Sequence, residues 1–185
     1  MIVGIDEAGR GPLAGAVVGC ALYLESDVPF VVRDSKELSA GKREAIFEWL
    51  MSNAIYSVNI ATAQEIDKIN ILNATFLTFN RAIGDLIEKV PKLKEAEFII
   101  DGNAFKTSLD VNYRCMVKAD KKVKEVSCAS IVAKVTRDYL MGIADFTYPE
   151  YNFFKHKGYP TKEHFLAVAK HSLSPIHRKS FNSKL

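Results

Sequence analysis

The chain has 185 residues and a formal net charge of +3 at pH 7, and 48% of its residues are hydrophobic and 25% charged. These values are typical of a globular protein with one good core, and we find neither a long apolar stretch nor a secretory signal. We therefore expect a cytoplasmic protein. Cys20, Cys115 and Cys128 are odd in number and widely spaced, which predicts reduced thiols rather than disulfides or a zinc site.

The first predicted element is a buried strand that ends in charge. The apolar residues 1–5 lead directly into Asp6 and Glu7. Carboxylates in such a place repel each other and lose hydration, so a cation or a hydrogen-bonding loop must compensate them. Neighbouring residues of a strand point to opposite faces. Either the strand breaks at Asp6 or the Glu7 side chain bends back, and the sequence leaves both open.

A glycine-rich turn follows these two acids. Gly9 and Gly11 permit positive φ and a close approach of the backbone to a ligand, while Arg10 is a planar donor suited to phosphate. With Ala14 the two glycines also match a relaxed dinucleotide-binding pattern, which requires a following helix. Residues 16–24 are apolar and β-branched and predict a second strand instead. The turn is therefore a candidate phosphate site beside a candidate metal site.

The next segments alternate between helix and strand. A helix is predicted to begin near Ser39, an alternating strand covers residues 56–60, and a short helical segment covers 62–69. A long helix follows over residues 71–90, and Pro91 ends it. The apolar residues of this helix are spaced by threes and fours, which predicts a core face made of Leu72, Phe76, Phe79, Ile83, Leu86 and Val90.

Two later strands repeat the pattern of apolar residues followed by an acid. Asp101 ends the first, and Asp120 follows the second, at residues 113–117. Ligands of open α/β sheets lie beyond the carboxyl ends of the strands, so these two acids are predicted to converge with Asp6 and Glu7. Each acid alone could be a helix cap or a turn residue. The recurrence of the pattern favours a shared site.

A helix over residues 123–146 and a basic tail complete the predicted elements. Four residues of this helix could face the site or lie on an ordinary surface, namely Ser130, Lys134, Arg137 and Asp138. Thr161 is predicted to cap a helix of the tail. Residues 146–185 carry seven Lys or Arg against two Asp or Glu, together with eight aromatics and all four histidines. This composition is typical of a nucleic-acid surface, although a solvated helical face gives the same charge. The predicted buried face of the 123–146 helix consists of Ala129, Val132, Ala133, Thr136, Tyr139, Leu140 and Ile143.

The carboxylates and the turn together indicate phosphoryl chemistry. Ligand sets made only of oxygen select hard ions such as Mg²⁺ or Mn²⁺. Two such ions about 3.5 to 4 Å apart stabilise the attacking and leaving oxygens of a phosphoryl displacement. Arg10 and the amides of the turn would hold the phosphate. A phosphodiester is the substrate that fits best.

These motifs, in this order, resemble those of one family, the bacterial type 2 ribonucleases H known as ribonuclease HII. The resemblance is spread over nearly the whole chain and is specific because seven separate motifs agree. They occupy residues 4–15, 34–36, 65–72, 101–103, 129–138, 158–161 and 177–181.

The resemblance implies an α/β ribonuclease H-like fold with a mixed five-stranded sheet flanked by helices. Residues 1–145 would form the catalytic domain and residues 146–185 a small C-terminal helical region that binds substrate. The implied activity is endonucleolytic cleavage of RNA in RNA-DNA hybrids and at single ribonucleotides in duplex DNA, leaving 3′-hydroxyl and 5′-phosphate ends. The protein would act as a monomer in ribonucleotide and primer removal, without a membrane and without an obligatory protein partner.

The resemblance also implies roles for individual residues. Two Mg²⁺ or Mn²⁺ ions would be held by the catalytic carboxylates of Asp6, Glu7, Asp101 and Asp120. The ribose 2′-hydroxyl and its phosphate would be read by Gly9, Arg10 and Gly11. Tyr159 would stack on the sugar after the junction. Contacts with the nucleic-acid backbone are implied for Lys36, Lys134, Arg178 and Ser180.

The sequence departs from the family pattern mainly around the fourth acid, where Ala119 replaces a glycine and Lys121 an alanine. Asp138 is therefore an alternative to Asp120 as the fourth metal ligand. We favour Asp120 because it follows a strand. Type 3 ribonucleases H would call for a threonine at Arg10 and a further N-terminal domain, which we do not expect before Asp6. A different class of function, a nucleic-acid-binding module with structural acids, predicts binding that chelators do not change and no cleaved product.

Overall fold

The structure, a computed structural model, describes residues 1–32 and 38–184. Four short 3₁₀ helices, at Pro91–Glu95, Ala119–Lys121, Pro149–Tyr151 and Lys179–Lys184, accompany the longer elements of these residues. The longer elements are β1 (Ile2–Ala8), β2 (Val17–Leu24), α1 (Ala40–Asn53), β3 (Ala54–Ala61), α2 (Ala63–Lys89), β4 (Glu97–Asp101), β5 (Asn112–Met116), α3 (Lys124–Thr147), α4 (Phe153–His156) and α5 (Lys162–His171).

The strands form one mixed sheet in the order β3-β2-β1-β4-β5. The first three strands pair antiparallel, whereas β1, β4 and β5 run parallel. The predicted mixed five-stranded sheet with flanking helices is therefore confirmed. In the part of the chain that the structure describes, no helix is long and apolar enough to cross a membrane.

The sheet is covered on both faces, and alternate residues of its strands enter different cores. On one face, Val18, Cys20 and Leu22 pack against α1 and α3. On the other face, Val3 and Ile5 pack against α2. Strand β1 is the central strand, and its residues Val3 and Ile5 are fully buried. The residues at its carboxyl end are therefore held in place by the packing of both cores.

Helix α3 touches the backbone of β1 at Gly4. A Cβ atom placed on this glycine would lie 2.1 Å from the backbone carbonyl carbon of Glu125, closer than any real contact. Only glycine therefore lets the helix lie this close to the strand. The close approach fixes the register of α3 on the sheet, and with it the position of every later residue of the helix.

Helix α2 is interrupted where the sequence predicted a break between two helical segments. Asn70 has φ 65° and ψ 166°, and its side-chain Oδ1 accepts from the backbone N–H of Asn73 at 3.1 Å, so it caps the second segment. Phe76, Phe79, Ile83 and Leu86 are buried as predicted. The prediction for Leu72 is wrong, because it lies in the first turn after the interruption and is 44% exposed.

The second half of α3 leaves the sheet, which overturns part of the predicted buried face. Tyr139 is 52% and Ile143 65% exposed, whereas the buried residues there are Arg137 and Met141. Met141 packs in a cluster with Ala14 and with residues of the C-terminal segment, by which we mean residues 146–184. The buried face thus turns away from the sheet towards the C-terminal segment.

The C-terminal segment is joined to the glycine-rich turn by backbone hydrogen bonds. The N–H of Leu13 donates to the carbonyl of Gly158 at 2.8 Å, and the N–H of Arg178 donates to the carbonyl of Leu13 at 2.8 Å. Ala14 and His177 form an antiparallel bridge. The glycine-rich turn and the C-terminal segment therefore form one structural unit.

We predict that Gly4→Ala lowers the free energy of unfolding by about 2 to 3 kcal/mol, because the added methyl overlaps the backbone of α3. The control is Gly84→Ala in α2, where an added Cβ meets nothing within 4 Å and should stabilise the helix by about 0.5 to 1 kcal/mol. Urea denaturation of both variants measures the difference. Equal stability of the two variants would contradict the close approach of α3 to β1.

Candidate active site

Three of the four predicted carboxylates meet at the carboxyl ends of two neighbouring parallel strands. Asp6 and Glu7 lie on β1, and Asp101 ends β4. The strands pair with Ile5 opposite Ile100, so the acids follow at the same edge of the sheet. The carboxylate of Asp101 repels those of both Asp6 and Glu7 and raises the pKa of each. The structure brings these three side chains into one electrostatic group.

Strand β1 does not break at Asp6. It continues to Ala8, with Asp6 opposite Cys20 and Glu7 opposite Gly19. Asp6 is buried and its carboxylate accepts from the backbone N–H of Glu7 at 2.7 Å and from the hydroxyl of Ser130 on α3. The carboxylate of Glu7 forms an ion pair of 3.4 Å with Arg10 and also interacts with the side chain of Asp6.

Burial leaves this group short of compensating positive charge. Loss of hydration is the largest cause that raises the pKa of Asp6 well above its ordinary value, followed by repulsion from Glu7 and Asp101. Loss of hydration also raises the pKa of Glu7, although Arg10 lowers it in part. Carboxylates held in this state favour a proton or a cation.

Asp120 lies in the 3₁₀ helix that follows β5 and is buried. The N–H of the preceding Ala119 donates to Oδ1 of Asp101 at 2.8 Å. The hydroxyl of Ser127 donates to the carbonyl of Asp120. Asp101 and α3 thus hold the turn that carries Asp120. Its competitor Asp138 is neutralised instead by Lys134, at 2.7 Å.

The oxygen donors of this group suit a hard divalent ion by their chemistry, but they are not arranged around one here. Among residues 1–32 and 38–184, no three or more His, Cys, Asp or Glu side chains stand in an arrangement that would hold a metal ion. Asp6 and Glu7 are engaged by Ser130 and Arg10 instead. Metal binding would require these side chains to exchange partners.

A cavity of about 320 Å³ adjoins the carboxylates and contains most of the other predicted site residues. It joins the end of β1, the glycine-rich turn, helix α3 and the tyrosine of the C-terminal segment. The lining residues are Glu7, Ala8, Gly9, Arg10, Gly11, Arg43, Ser130, Lys134, Arg137 and Tyr159.

The glycine-rich turn rests on a buried arginine from the C-terminal segment. The Arg178 guanidinium donates to the carbonyls of Gly9, Arg10, Pro12 and Gly15 at 2.6 to 3.0 Å. Its side chain is fully buried. The predicted contact between Arg178 and nucleic acid is therefore corrected, because all its nitrogens are directed at the backbone of the turn.

The sequence left open whether Arg137 faces the site or lies on an ordinary helix surface, and the structure places it at the site. Its Nε donates to the carbonyl of Ala16 at 3.1 Å and its Nη2 to the carbonyl of Ala14 at 3.2 Å. A Cβ on Gly9, which has φ 102°, would lie 2.2 Å from Arg137 Nε. Within the described residues, its buried Nη1 has no hydrogen-bond partner. The available signal was a charged residue within a stripe of small, buried residues on α3.

The remaining predicted residues occupy different environments. Tyr159 is 42% exposed, and the centroid of its ring lies 5.9 Å from the Arg137 guanidinium carbon. Ser180 is exposed, and its hydroxyl donates to the carboxylate of Asp67 at 2.6 Å. Lys36 lies outside the described residues.

Comparison with known sequences identifies relatives along almost the whole chain. The family model described as Ribonuclease HII matches residues 3–184. A ribonuclease HII from Thermotoga maritima is 44% identical over 185 residues, which is 100% of this chain and 74% of the relative. A ribonuclease HII from Shewanella pealeana is 46% identical over 180 residues, which is 96% of this chain and 86% of the relative.

Solved structures of similar fold point in the same direction. Ribonuclease H2 from Pyrococcus horikoshii superposes with a TM-score of 0.74 and 26% identity, over 99% of this chain and 96% of the other. A Bst-RNase HIII in complex with Mn²⁺ superposes with a TM-score of 0.70 and 18% identity, over 91% and 69% of the two chains, and supports the fold alone.

We predict that Asp6→Asn raises the melting temperature at pH 7.5 in the presence of a chelator. The pKa of Asp6 is raised in the folded state, so the stability that the protonated form supports is lost as pH rises through this pKa. An amide removes the repulsion, and each kcal/mol relieved adds roughly 2 to 4 °C for a chain of this size.

The control is Asp27→Asn, because Lys124 lowers the pKa of the exposed Asp27 and its substitution should give no such rise. Differential scanning fluorimetry with EDTA, and again with Mg²⁺, measures both effects. A lower melting temperature of Asp6→Asn in EDTA would contradict the excess negative charge. Mg²⁺ should raise the melting temperature of the unmodified protein more than that of Asp6→Asn.

Proposed function

Because the chain belongs to the ribonuclease HII family and is thus a ribonuclease H, an endonuclease that hydrolyses phosphodiesters, we propose that it cuts RNA in RNA-DNA hybrids and at a single ribonucleotide within duplex DNA. The products would carry 3′-hydroxyl and 5′-phosphate ends. The observation that carries the proposal is one cavity in which Glu7 of the carboxylate group, the glycine-rich turn and Tyr159 lie together.

Asp6, Glu7, Asp101 and Asp120 are the residues that would hold two Mg²⁺ or Mn²⁺ ions. The excess negative charge at Asp6 and Glu7 supports this assignment. Bst-RNase HIII, a protein of similar fold, has been solved in complex with Mn²⁺. When bound, such ions supply charge stabilisation for an in-line phosphoryl displacement. Arg10, released from its pair with Glu7, would then be free to hold the phosphate.

The glycine-rich turn is suited to recognise the ribose because its amides have a fixed direction. In a trans peptide the carbonyl of one residue and the N–H of the next point in opposite directions. Arg178 binds the carbonyls of Gly9 and Arg10, so the N–H groups of Arg10 and Gly11 point away from this buried guanidinium. Both residues line the cavity. Their amides would bind the 2′-hydroxyl and the phosphate, which separates RNA from DNA.

The Tyr159 ring would stack on the sugar that follows the ribonucleotide. It lines the cavity together with the turn, and a Cβ on Gly11 would lie 3.6 Å from this ring, an ordinary contact distance. The ring therefore lies directly beside the turn. Contacts with the nucleic-acid backbone remain predicted for Lys134, which lines the cavity, and for Lys36 and Ser180.

The test is cleavage of a labelled DNA duplex that contains one ribonucleotide, with Mg²⁺, with Mn²⁺ and with EDTA. We predict a metal-dependent cut on the 5′ side of the ribonucleotide, mapped to the nucleotide by gel electrophoresis.

Asp101→Asn should lower turnover at least about a hundredfold while binding is kept. Asp110→Asn, a surface acid paired with Lys94, is the control and should cleave normally. Cleavage that survives EDTA, or normal turnover of Asp101→Asn, would contradict the proposal.

We also predict that Tyr159→Ala lowers cleavage at a single ribonucleotide about tenfold, because one stacking contact is lost. The loss on a long RNA-DNA hybrid should be smaller, since the enzyme can bind and cut such a hybrid at many positions. Tyr159→Phe keeps the ring and should restore most of the rate. Steady-state rates on the two substrates measure the ratio, and equal losses on both would argue against a stacking role.

A further inference from the structure

Three of the four histidines of the C-terminal segment form a buried cluster that the proposed chemistry does not use. His156, His164 and His177 surround the fully buried ring of Phe153. The rings of His156 and His164 are stacked, with centroids 4.4 Å apart. Nε2 of His164 and Nε2 of His177 lie 2.9 Å apart. Two imidazole nitrogens at this distance must share one proton.

A backbone amide fixes which nitrogen carries each proton. The N–H of Ser174 donates to Nδ1 of His177 at 2.9 Å, so this Nδ1 carries no proton. Neutral His177 therefore has its proton on Nε2 and donates it to Nε2 of His164. His164 then has its own proton on Nδ1, which lies 2.9 Å from the carbonyl oxygen of Tyr159. The chain of hydrogen bonds runs in one direction and ends at the cavity tyrosine.

His156 holds the same segment from the other side. Its Nδ1 accepts from the N–H of Gly158 at 3.1 Å, so its proton is on Nε2 and is donated to the carbonyl of Tyr151 at 2.7 Å. His156 thus binds the N–H of Gly158, and His164 binds the carbonyl of Tyr159. Only the ring of Tyr159 remains free to meet a ligand.

We propose that His164 and His177 are positioning residues, which as neutral imidazoles in these two tautomers hold Tyr159 against the glycine-rich turn for catalysis. The role in catalysis rests on the proposed function, because it acts through the stacking of Tyr159. Protonation of His164 places two donors face to face at the shared Nε2 contact. The held position of Tyr159 is then lost.

The surroundings of the pair favour its neutral form. Burial, and then repulsion from His164, lowers the pKa of His177 to about 4, and burial also lowers the pKa of His164. The hydrogen bond between the two neutral rings is therefore intact above the ordinary histidine pKa of 6.5. It is lost as pH falls towards 4.

In the described part of the chain, the charged and titratable groups around the pair supply no counterion to it. His156 stacks on it, the Tyr151 ring lies 5.1 Å from that of His177, and Arg178 follows in sequence. The pKa of Glu163 is lowered, first by its hydrogen bond with Lys155 and least by His156, and Glu163 is paired with Lys155 at 2.8 Å.

The tautomers can be measured without any activity assay. A long-range ¹H–¹⁵N spectrum of the imidazole rings at pH 7.5 should show His177 protonated at Nε2 and His164 at Nδ1. The opposite tautomer, a mixture, or a cationic ring at this pH would overturn the proposal. This result stands whether or not the protein cuts the predicted substrate.

A double-mutant cycle tests the action through Tyr159. His164→Leu should lower cleavage at a single ribonucleotide about five- to tenfold, the effect of one lost hydrogen bond. In the Tyr159→Ala background the same change should lower it less than about twofold, because the ring that it positions is absent. Equal losses in both backgrounds would indicate a general effect on folding and overturn the proposal.

Two further variants complete the experiment. His164→Asn keeps a donor near the carbonyl of Tyr159, so it should restore most of the activity that His164→Leu loses. His171→Leu removes an exposed histidine of α5 outside the pair and should behave like the unmodified protein. If the unmodified protein fails to cut the duplex at all, the proposed function fails, and the tautomer spectrum alone decides the arrangement of the histidines.

Discussion

The contact between α3 and the backbone of Gly4 determines how the rest of the site is assembled. Because the helix lies directly on β1, its successive turns reach different parts of the site. Ser127 binds the turn of Asp120, Ser130 binds Asp6, and Arg137 binds the carbonyls beyond the glycine-rich turn. One rigid helix thus sets the spacing between the carboxylates and the turn, so a bulky residue at Gly4 would displace both together.

The sequence was sufficient for the parts of the molecule that depend on local patterns. Alternation and helical spacing predicted the five strands, the break near Asn70 and the convergence of acids at the ends of β1 and β4. It was insufficient where long-range packing overrides the pattern. Ile143 belongs to a regular apolar stripe but is exposed, because α3 extends past the sheet and meets the C-terminal segment, which no periodicity reveals.

Arginine was the least predictable residue type, because its role depends on its surroundings. Arg10, Arg137 and Arg178 all lie near the turn, yet only Arg10 is exposed to a ligand. The other two serve as internal donors for carbonyls that a tight turn leaves without partners. A charged residue within a recognised motif therefore indicates importance without telling whether the partner is substrate or backbone.

The bonds from Arg178 to the turn span more than 160 residues of sequence. During synthesis the turn is therefore made long before Arg178, and its four carbonyls lack this donor until residue 178 is available. The sheet can form before that moment, whereas the cavity wall cannot take its final shape. The final shape of the cavity wall therefore depends on the C-terminal segment, although most of the core lies in the chain before it.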